Sequence, residues 1–219
     1  MSLAIFDLDN TLIAGDSDYL WGEYLVEQGV VDGDHYRSEN ERYYREYKQG
    51  ALNIMEFLAF SLKPLSEHSL DQLHAWRAAF VAQKIRPILL PKAFELLQRH
   101  RQAGDVLLII TATNRFVTEP IAELLGVEHL LATEPEMRRG RYTGRVAGTP
   151  CFQAGKVRRL QQWLDETGHD LAGSTFYSDS HNDLPLLERV EHPVAVDADP
   201  VLARVAEQRG WPHISLRQP

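Results

Sequence analysis

The chain is poor in cysteine, with one, Cys151, among 219 residues. No intramolecular disulfide can form, which favours a reducing compartment. Cys151 lies in "GTPCFQAGK" with no paired base suggested nearby, and reads as a packing residue rather than a nucleophile. Long hydrophobic runs are missing too. The strongest, "VLLIITA" at residues 106–112, is far too short to cross a bilayer. The opening "MSLAIFDL" has no basic n-region and too few apolar residues for a signal peptide. A cytoplasmic protein with no membrane partner is therefore expected. Also absent is any block of Lys and Arg. With 23 basic and 31 acidic side chains the net charge is −8, so nucleic acid is not an expected partner. An anionic ligand would need local positive charge from a lysine, a metal or a helix N-terminus.

What is present is the balance of an ordinary globular chain, 44% hydrophobic and 25% charged, enough to bury a core. The length predicts one large domain or two unequal ones. Short apolar runs at 3–8, 105–113, 174–179, 193–198 and 213–216 read as strands. Between them stand helical patterns. Pro91 opens "PKAFELLQRHRQAG", which Gly104 closes; "FVTEPIAELLG", "GKVRRLQQWLDETG", "DLPLLERV" and "PVLARVAEQRG" follow. Alternation of this kind with continuous apolar strands predicts an α/β fold with a buried parallel sheet. Residues 16–85 break the alternation. They are too many for a loop, rich in aromatics and helical in period, and predict a bundle of four helices inserted after the first strand. The expected division is a discontinuous core, 1–15 and 86–219, and a helical domain, 16–85. Runs flanking Arg139-Gly140 predict a β-hairpin outside the main sheet.

Open parallel sheets bind ligands beyond the carboxyl ends of their strands. Asp7, Asp9, Asn10 and Thr11 follow the first strand; Thr111, Thr113 and Asn114 close the second; Asp179, Ser180, Asn182 and Asp183 follow the third. Asp7 and Asp9, two apart on extended backbone, share a face. With Asp179 they form an all-oxygen set suited to Mg²⁺, hence a metal-assisted phosphoryl-transfer site. Lys156 would supply fixed positive charge.

In that order the residues resemble the haloacid dehalogenase-like hydrolases. "DLDNT" matches the family's DxDxT pattern, "LIITAT" its second motif, a strand ending in Ser or Thr, Lys156 its third, and "SDSHND" its acidic fourth, D-x-x-x-D. The resemblance spans nearly the whole chain and is nearest to the phosphoserine phosphatase-like branch. It implies a Rossmann-like parallel-sheet core with an inserted helical-bundle cap domain. It also implies roles. Asp7 would be the nucleophile and Asp9 the general acid and base. Mg²⁺ would be held by the Asp7 carboxylate, the Asp9 backbone carbonyl and Asp179. Thr111 and backbone N–H groups would hold phosphoryl oxygens, and Lys156 would offset charge. Asp183 and Asn182 would stand behind these groups, Asp183 supporting the metal or orienting Lys156. Thr11, Asn114 and Asp16 are placed with the substrate. Asp16 would meet a substrate amine, or else cap the next helix, as Ser17 and Asp18 could equally do. Arg42 and Arg45 read as a solvated face with ion pairs along the helix, and His181 as an exposed loop residue.

Two departures from the family pattern stand out. Ser178 and Ser180 flank Asp179 where many relatives have glycine, and Ala112-Thr113 replaces two glycines common in phosphoserine phosphatases, which counts against phosphoserine as substrate. The expected partner is a small phosphorylated metabolite, with phosphoserine and histidinol phosphate as candidates. A phosphotransferase and a catalytically silent phosphate-ligand binder are the alternatives. A signalling receiver domain shares the acidic cluster and lysine but carries no helical insertion of this size. No oligomeric state is read from the sequence.

Overall fold

The structure, a computed structural model, describes residues 2–217; the outermost positions of the expected core range, 1 and 218–219, lie outside it. Strand β1 (Leu3–Phe6) is buried along its whole length. Its alternation divides the core. Leu3 and Ile5 point to one face of the sheet and join Leu108, Ile110, Leu160, Phe176 and Leu187. Ala4 and Phe6 point to the other and join Ile109, Phe116, Ile121 and the apolar side chains of the insertion. A strand apolar on both faces belongs inside a sheet covered on both sides, and β1 lies between β2 (Val106–Asn114) and β5 (Thr175–Ser178), parallel to both. With β3 (His129–Arg138), β4 (Arg141–Ala147), β6 (His192–Val196) and β7 (His213–Ile214), the sheet order is β4-β3-β2-β1-β5-β6-β7. Every pairing is parallel except β3 with β4.

That hairpin corrects the expectation. It is continuous with the main sheet, because the first half of β3 pairs with β2 and only the second half turns back against β4. The stretch "HLLAT", not expected as a strand, forms the first half of β3, with Leu130, Leu131 and Ala132 buried. The polar hairpin that follows masked a short apolar run with no flanking turn of its own.

Between β1 and the next core helix lie α1 (Ser17–Glu27), α2 (Gly33–Lys48), α3 (Ile54–Ser61), α4 (Lys63–Glu67) and α5 (Leu70–Phe80). The count is five rather than four. "IMEFLAFSLKPL" divides at Leu62 because Pro64, in the first turn of α4, starts a new helix and cannot continue one. The chain leaves and re-enters the core side by side, with the Ala14 N–H donating to the Ile88 carbonyl (2.8 Å) and Ile13 bridging Leu89. Buried aromatic rings tie insertion to core: Trp21 of α1 lies 5.2 Å from Phe80 and 5.9 Å from Phe116, both edge-on.

The core helices are α6 (Pro91–Ala103), α7 (Arg115–Leu125), α8 (Ala154–Thr167), α9 (Leu184–Leu187) and α10 (Pro200–Arg209). α6 has Pro91 in its first turn and ends on left-handed Gly104, φ 81°, as its sequence predicts. α8 begins in an unusually tight approach. A Cβ at Gly155 would lie 2.0 Å from the Pro150 carbonyl oxygen, so only glycine lets the loop fold back and seat Lys156 in the first turn of the helix.

Candidate active site

Asp7 follows β1 directly, and its N–H extends the ladder by donating to the Tyr177 carbonyl of β5 (2.9 Å). Its Oδ1 accepts a hydrogen bond from Lys156 Nζ at 2.7 Å. The same ammonium donates to Asp183 at 2.8 Å, and Ser178 Oγ donates to Asp183 Oδ2 at 2.7 Å. All of Asp7, Lys156 and Asp183 are 4% exposed or less. Asp183 thus aims Lys156 at Asp7, and Ser178, one of the departures from glycine, fixes Asp183.

Asp9 faces a different set of groups. The Ser17 N–H at the start of α1 donates to its Oδ1 (2.6 Å), and Thr113 Oγ1 to its Oδ2 (2.7 Å), with Thr111 Oγ1 at 3.4 Å. Thr111 and Thr113 lie two apart on β2 and share a face. The sequence gives Thr113 no role at this strand end, yet its period-2 relation to Thr111 points to the same face. Burial pushes the Asp9 carboxyl up to about 6, with the Asp16 charge adding to it and the Ser17 bonds opposing. Burial also raises Asp7, to about 7, against the pull of Lys156. Burial works against the Lys156 charge, but Asp183 and Asp7 outweigh it and hold the ammonium protonated. Burial first, then Asp7 and Asp183, raise Asp179 well above the ordinary carboxylate range. Cys151 is fully buried and its thiol is pushed up to about 12 by burial, so it is a core residue.

The fit to a hard cation rests on which oxygens remain. Asp9 spends both carboxylate oxygens on Ser17 and the threonines, Asp183 both on Lys156, and Asp179 Oδ1 accepts from Thr11 Oγ1 at 3.3 Å. Asp7 Oδ2, Asp179 Oδ2 and the Asp9 carbonyl accept no hydrogen bond from another of the described residues. Two carboxylates and one carbonyl suit Mg²⁺, which keeps several waters. No cage of three or more His, Cys, Asp or Glu side chains occurs among the described residues.

Stability should follow from this charge balance. Asp7 and Asp9, raised from 3.8 to about 7 and about 6, hold protons in the folded state that the unfolded chain has lost. Their contribution is therefore full below pH 3.8 and lost as pH rises through 6 to 7. In chelator, Tm should fall between pH 5 and 7.5. Saturating Mg²⁺ should restore roughly 5–10 °C at pH 7.5 and much less at pH 5. A Tm that is flat with pH, or an equal Mg²⁺ shift at both, would contradict the assignment.

The insertion forms the opposite wall. A cavity is lined by Asp7, Asp9, Thr111 and Thr113 on the core side, and by Asp16, Asp18 and several tyrosines on the other. Asp16 both lines it and caps α1, its carboxylate accepting from the Tyr19 N–H at 2.9 Å. Gly22 allows α1 and α2 to close up, since a Cβ there would lie 2.7 Å from Asn40 Nδ2. Tyr47 of α2 stands over the acidic floor; burial raises its hydroxyl, with Asp179, Asp7 and Asp183 adding to the effect.

Several residues stand elsewhere than expected. The Asn114 side chain caps α7, accepting from the Val117 N–H at 3.2 Å, and does not line the cavity. The Thr11 hydroxyl braces Asp179 by accepting from its N–H (3.1 Å). Asn182 bridges insertion and core, donating to the Tyr47 carbonyl (3.1 Å) and accepting from Gln153 (3.0 Å). His181 is not an exposed loop residue. Its ring bonds Asp199 at 2.7 Å, and its Nε2 would lie 2.8 Å from a Cβ on Gly50. Arg42 pairs with Glu39 and Glu46, and Arg45 with Glu41, along the outer face of α2.

Comparison with known proteins gives the family and the fold. A family model described as haloacid dehalogenase-like hydrolase matches residues 4–188. A histidinol-phosphatase from Neisseria meningitidis serogroup C (strain 8013) is 45% identical over 220 residues, covering 99% of each chain. A crystal structure of a protein with unknown function from Bordetella pertussis Tohama I is 46% identical and superposes with a TM-score of 0.93 over 98% of each chain. A phospho-aspartyl intermediate analogue of phosphoserine phosphatase superposes with a TM-score of 0.72 over 99% of this chain and 94% of its own; at 18% identity, that likeness is one of fold.

Proposed function

We propose, for a chain that belongs to the haloacid dehalogenase-like hydrolase family and is a phosphoric monoester hydrolase, that it is Mg²⁺-dependent and works through an aspartyl-phosphate on Asp7. The observation that carries this reading is the division of labour between two carboxylates two residues apart. Asp7 is held by the Lys156 ammonium at 2.7 Å, whereas Asp9 accepts from the neutral Ser17 N–H and Thr113 hydroxyl.

Asp7 attacks phosphorus and the ester P–O bond breaks. Asp9 gives its proton to the leaving alkoxide, releasing the alcohol. The Asp9 carboxylate then takes a proton from water as that water attacks the acyl phosphate, and the bond to Asp7 breaks. Phosphate leaves and Asp9 is protonated again. Lys156 offsets the charge that gathers between nucleophile and phosphoryl oxygens, and Thr111 lies within reach of those oxygens. Mg²⁺ held by Asp7, Asp179 and the Asp9 carbonyl would neutralise the phosphoryl group as a Lewis acid. The insertion acts as a cap over a small substrate, excluding bulk water.

Of the two candidate esters, histidinol phosphate fits better than phosphoserine. None of the described residues lining the cavity is Lys or Arg, so a substrate carboxylate would find no partner there. A substrate amine would find Asp16. Phosphate release should therefore require Mg²⁺ and favour the amino-alcohol phosphate over phosphoserine by at least about tenfold in kcat/KM, the scale of one unpaired buried charge. Comparable rates on both, or a preference for phosphoserine, would overturn the substrate assignment. Transfer of the phosphoryl group to an added alcohol in place of water would favour the phosphotransferase.

A further inference from the structure

Asp18 is a carboxylate the reaction does not use. It lies in the first turn of α1, lines the same cavity as Asp9 and Asp16, and is only 9% exposed. No hydrogen bond or ion pair reaches its side chain among the described residues, whereas Asp9 and Asp16 each accept from a backbone N–H. A buried, unpaired carboxylate is costly. Burial, then the charges of Asp16 and Asp9, raise its carboxyl well above the ordinary range, and no cation opposes them. Lys48 acts on Asp16 but not on Asp18. The surrounding wall is aromatic, with Tyr19, Tyr43, Tyr44, Tyr47 and Phe57. Such rings hold flat groups and favour cations through their faces.

Resting on the phosphatase reading above, we propose that Asp18 is a specificity-determining residue that pairs with a second cationic group of the substrate. The class taken by the site is then a phosphate monoester with two basic nitrogens. One is an amine near the ester carbon, for Asp16. The other belongs to a flat basic ring held among the tyrosines, for Asp18. Beyond the reacting pair Asp7 and Asp9, the cavity wall carries two carboxylates, Asp16 and Asp18, and no Lys or Arg among the described residues, which matches a ligand bearing two positive groups beside its phosphate. An ester with the amine alone would leave Asp18 buried and unpaired.

The test compares histidinol phosphate with phenylalaninol phosphate, which has the same amine and a neutral ring, on the Mg²⁺-loaded enzyme. Wild type should favour the imidazole ester by about 10- to 100-fold in kcat/KM. In Asp18→Asn the KM of that ester should rise by a similar factor while kcat stays within a few-fold, and the preference should collapse. Equal loss on both esters, or a preference unaltered in Asp18→Asn, would overturn the proposal. A calorimetric titration with the phosphate-free alcohols separates it from the reaction itself. Histidinol should bind wild type more tightly than phenylalaninol, and Asp18→Asn should erase the difference. If no ester is hydrolysed yet this difference holds, the phosphatase reading fails and the Asp18 assignment stands. If the two alcohols bind wild type equally, the Asp18 assignment fails whatever the turnover.

Discussion

Asp7→Asn is expected to abolish phosphate release, with a loss on the order of 10⁴ or more, and to leave the fold intact. The replacement keeps the volume of the side chain, and its amide oxygen still accepts from Lys156, now 2.7 Å from Asp7 Oδ1. What it removes is the proposed nucleophile, because a neutral amide does not displace an alkoxide from phosphorus. The measurement is steady-state phosphate release beside an acid quench of the enzyme turning over a radiolabelled ester. Wild type should retain acid-stable label on the chain; Asp7→Asn should retain none. A variant that keeps a tenth of the rate would assign the nucleophile to another group.

Lys156→Met should damage both chemistry and stability. The ammonium lies between Asp7 and Asp183, with side chains 5% exposed or less on both ion pairs. Taking it away leaves two buried carboxylates facing each other, at a cost of about 3–5 kcal/mol in unfolding free energy at neutral pH. The loss should shrink as pH falls below about 7, where Asp7, raised by burial, binds a proton and its unpaired charge disappears. Turnover should drop on the order of 10³, the scale of a lost oxyanion partner. Urea denaturation followed by tryptophan fluorescence reads the stability. Adding Asp183→Asn to Lys156→Met should recover part of the stability and none of the rate, because it removes the repulsion without restoring the cation. A single variant less than about 1 kcal/mol destabilised would mean that Lys156 does not neutralise this cluster.

The chemical groups of the site were legible because they sit at strand ends. A parallel sheet gathers the residues that follow β1, β2 and β5 at one edge, so Asp7, Asp9, Thr111 and Asp179 could be brought together from strand positions alone. Lys156 was legible from its place in the motif order, but its orientation depends on Gly155, where the backbone closes to a distance no Cβ allows. Asn114 shows the limit. A polar residue at a strand end that also precedes a helix has two claims on it, and here the helix N–H of Val117 takes it. His181 shows the same limit in three dimensions, since its partner Asp199 lies 18 residues away in sequence.

Local pattern therefore carried the alternation of strands and helices, the inserted helices and the polar groups at the strand ends, because periodicity and strand termini are properties of neighbouring residues. The tertiary structure decided which oxygens stay free for a cation, that Thr113 rather than Thr111 makes the short bond to Asp9, and that Asp18 is buried without a partner. It also joined the 129–147 hairpin to the main sheet. Each of these depends on which groups from distant segments compete for the same hydrogen bond or the same buried space, and that competition is settled only when the chain is packed.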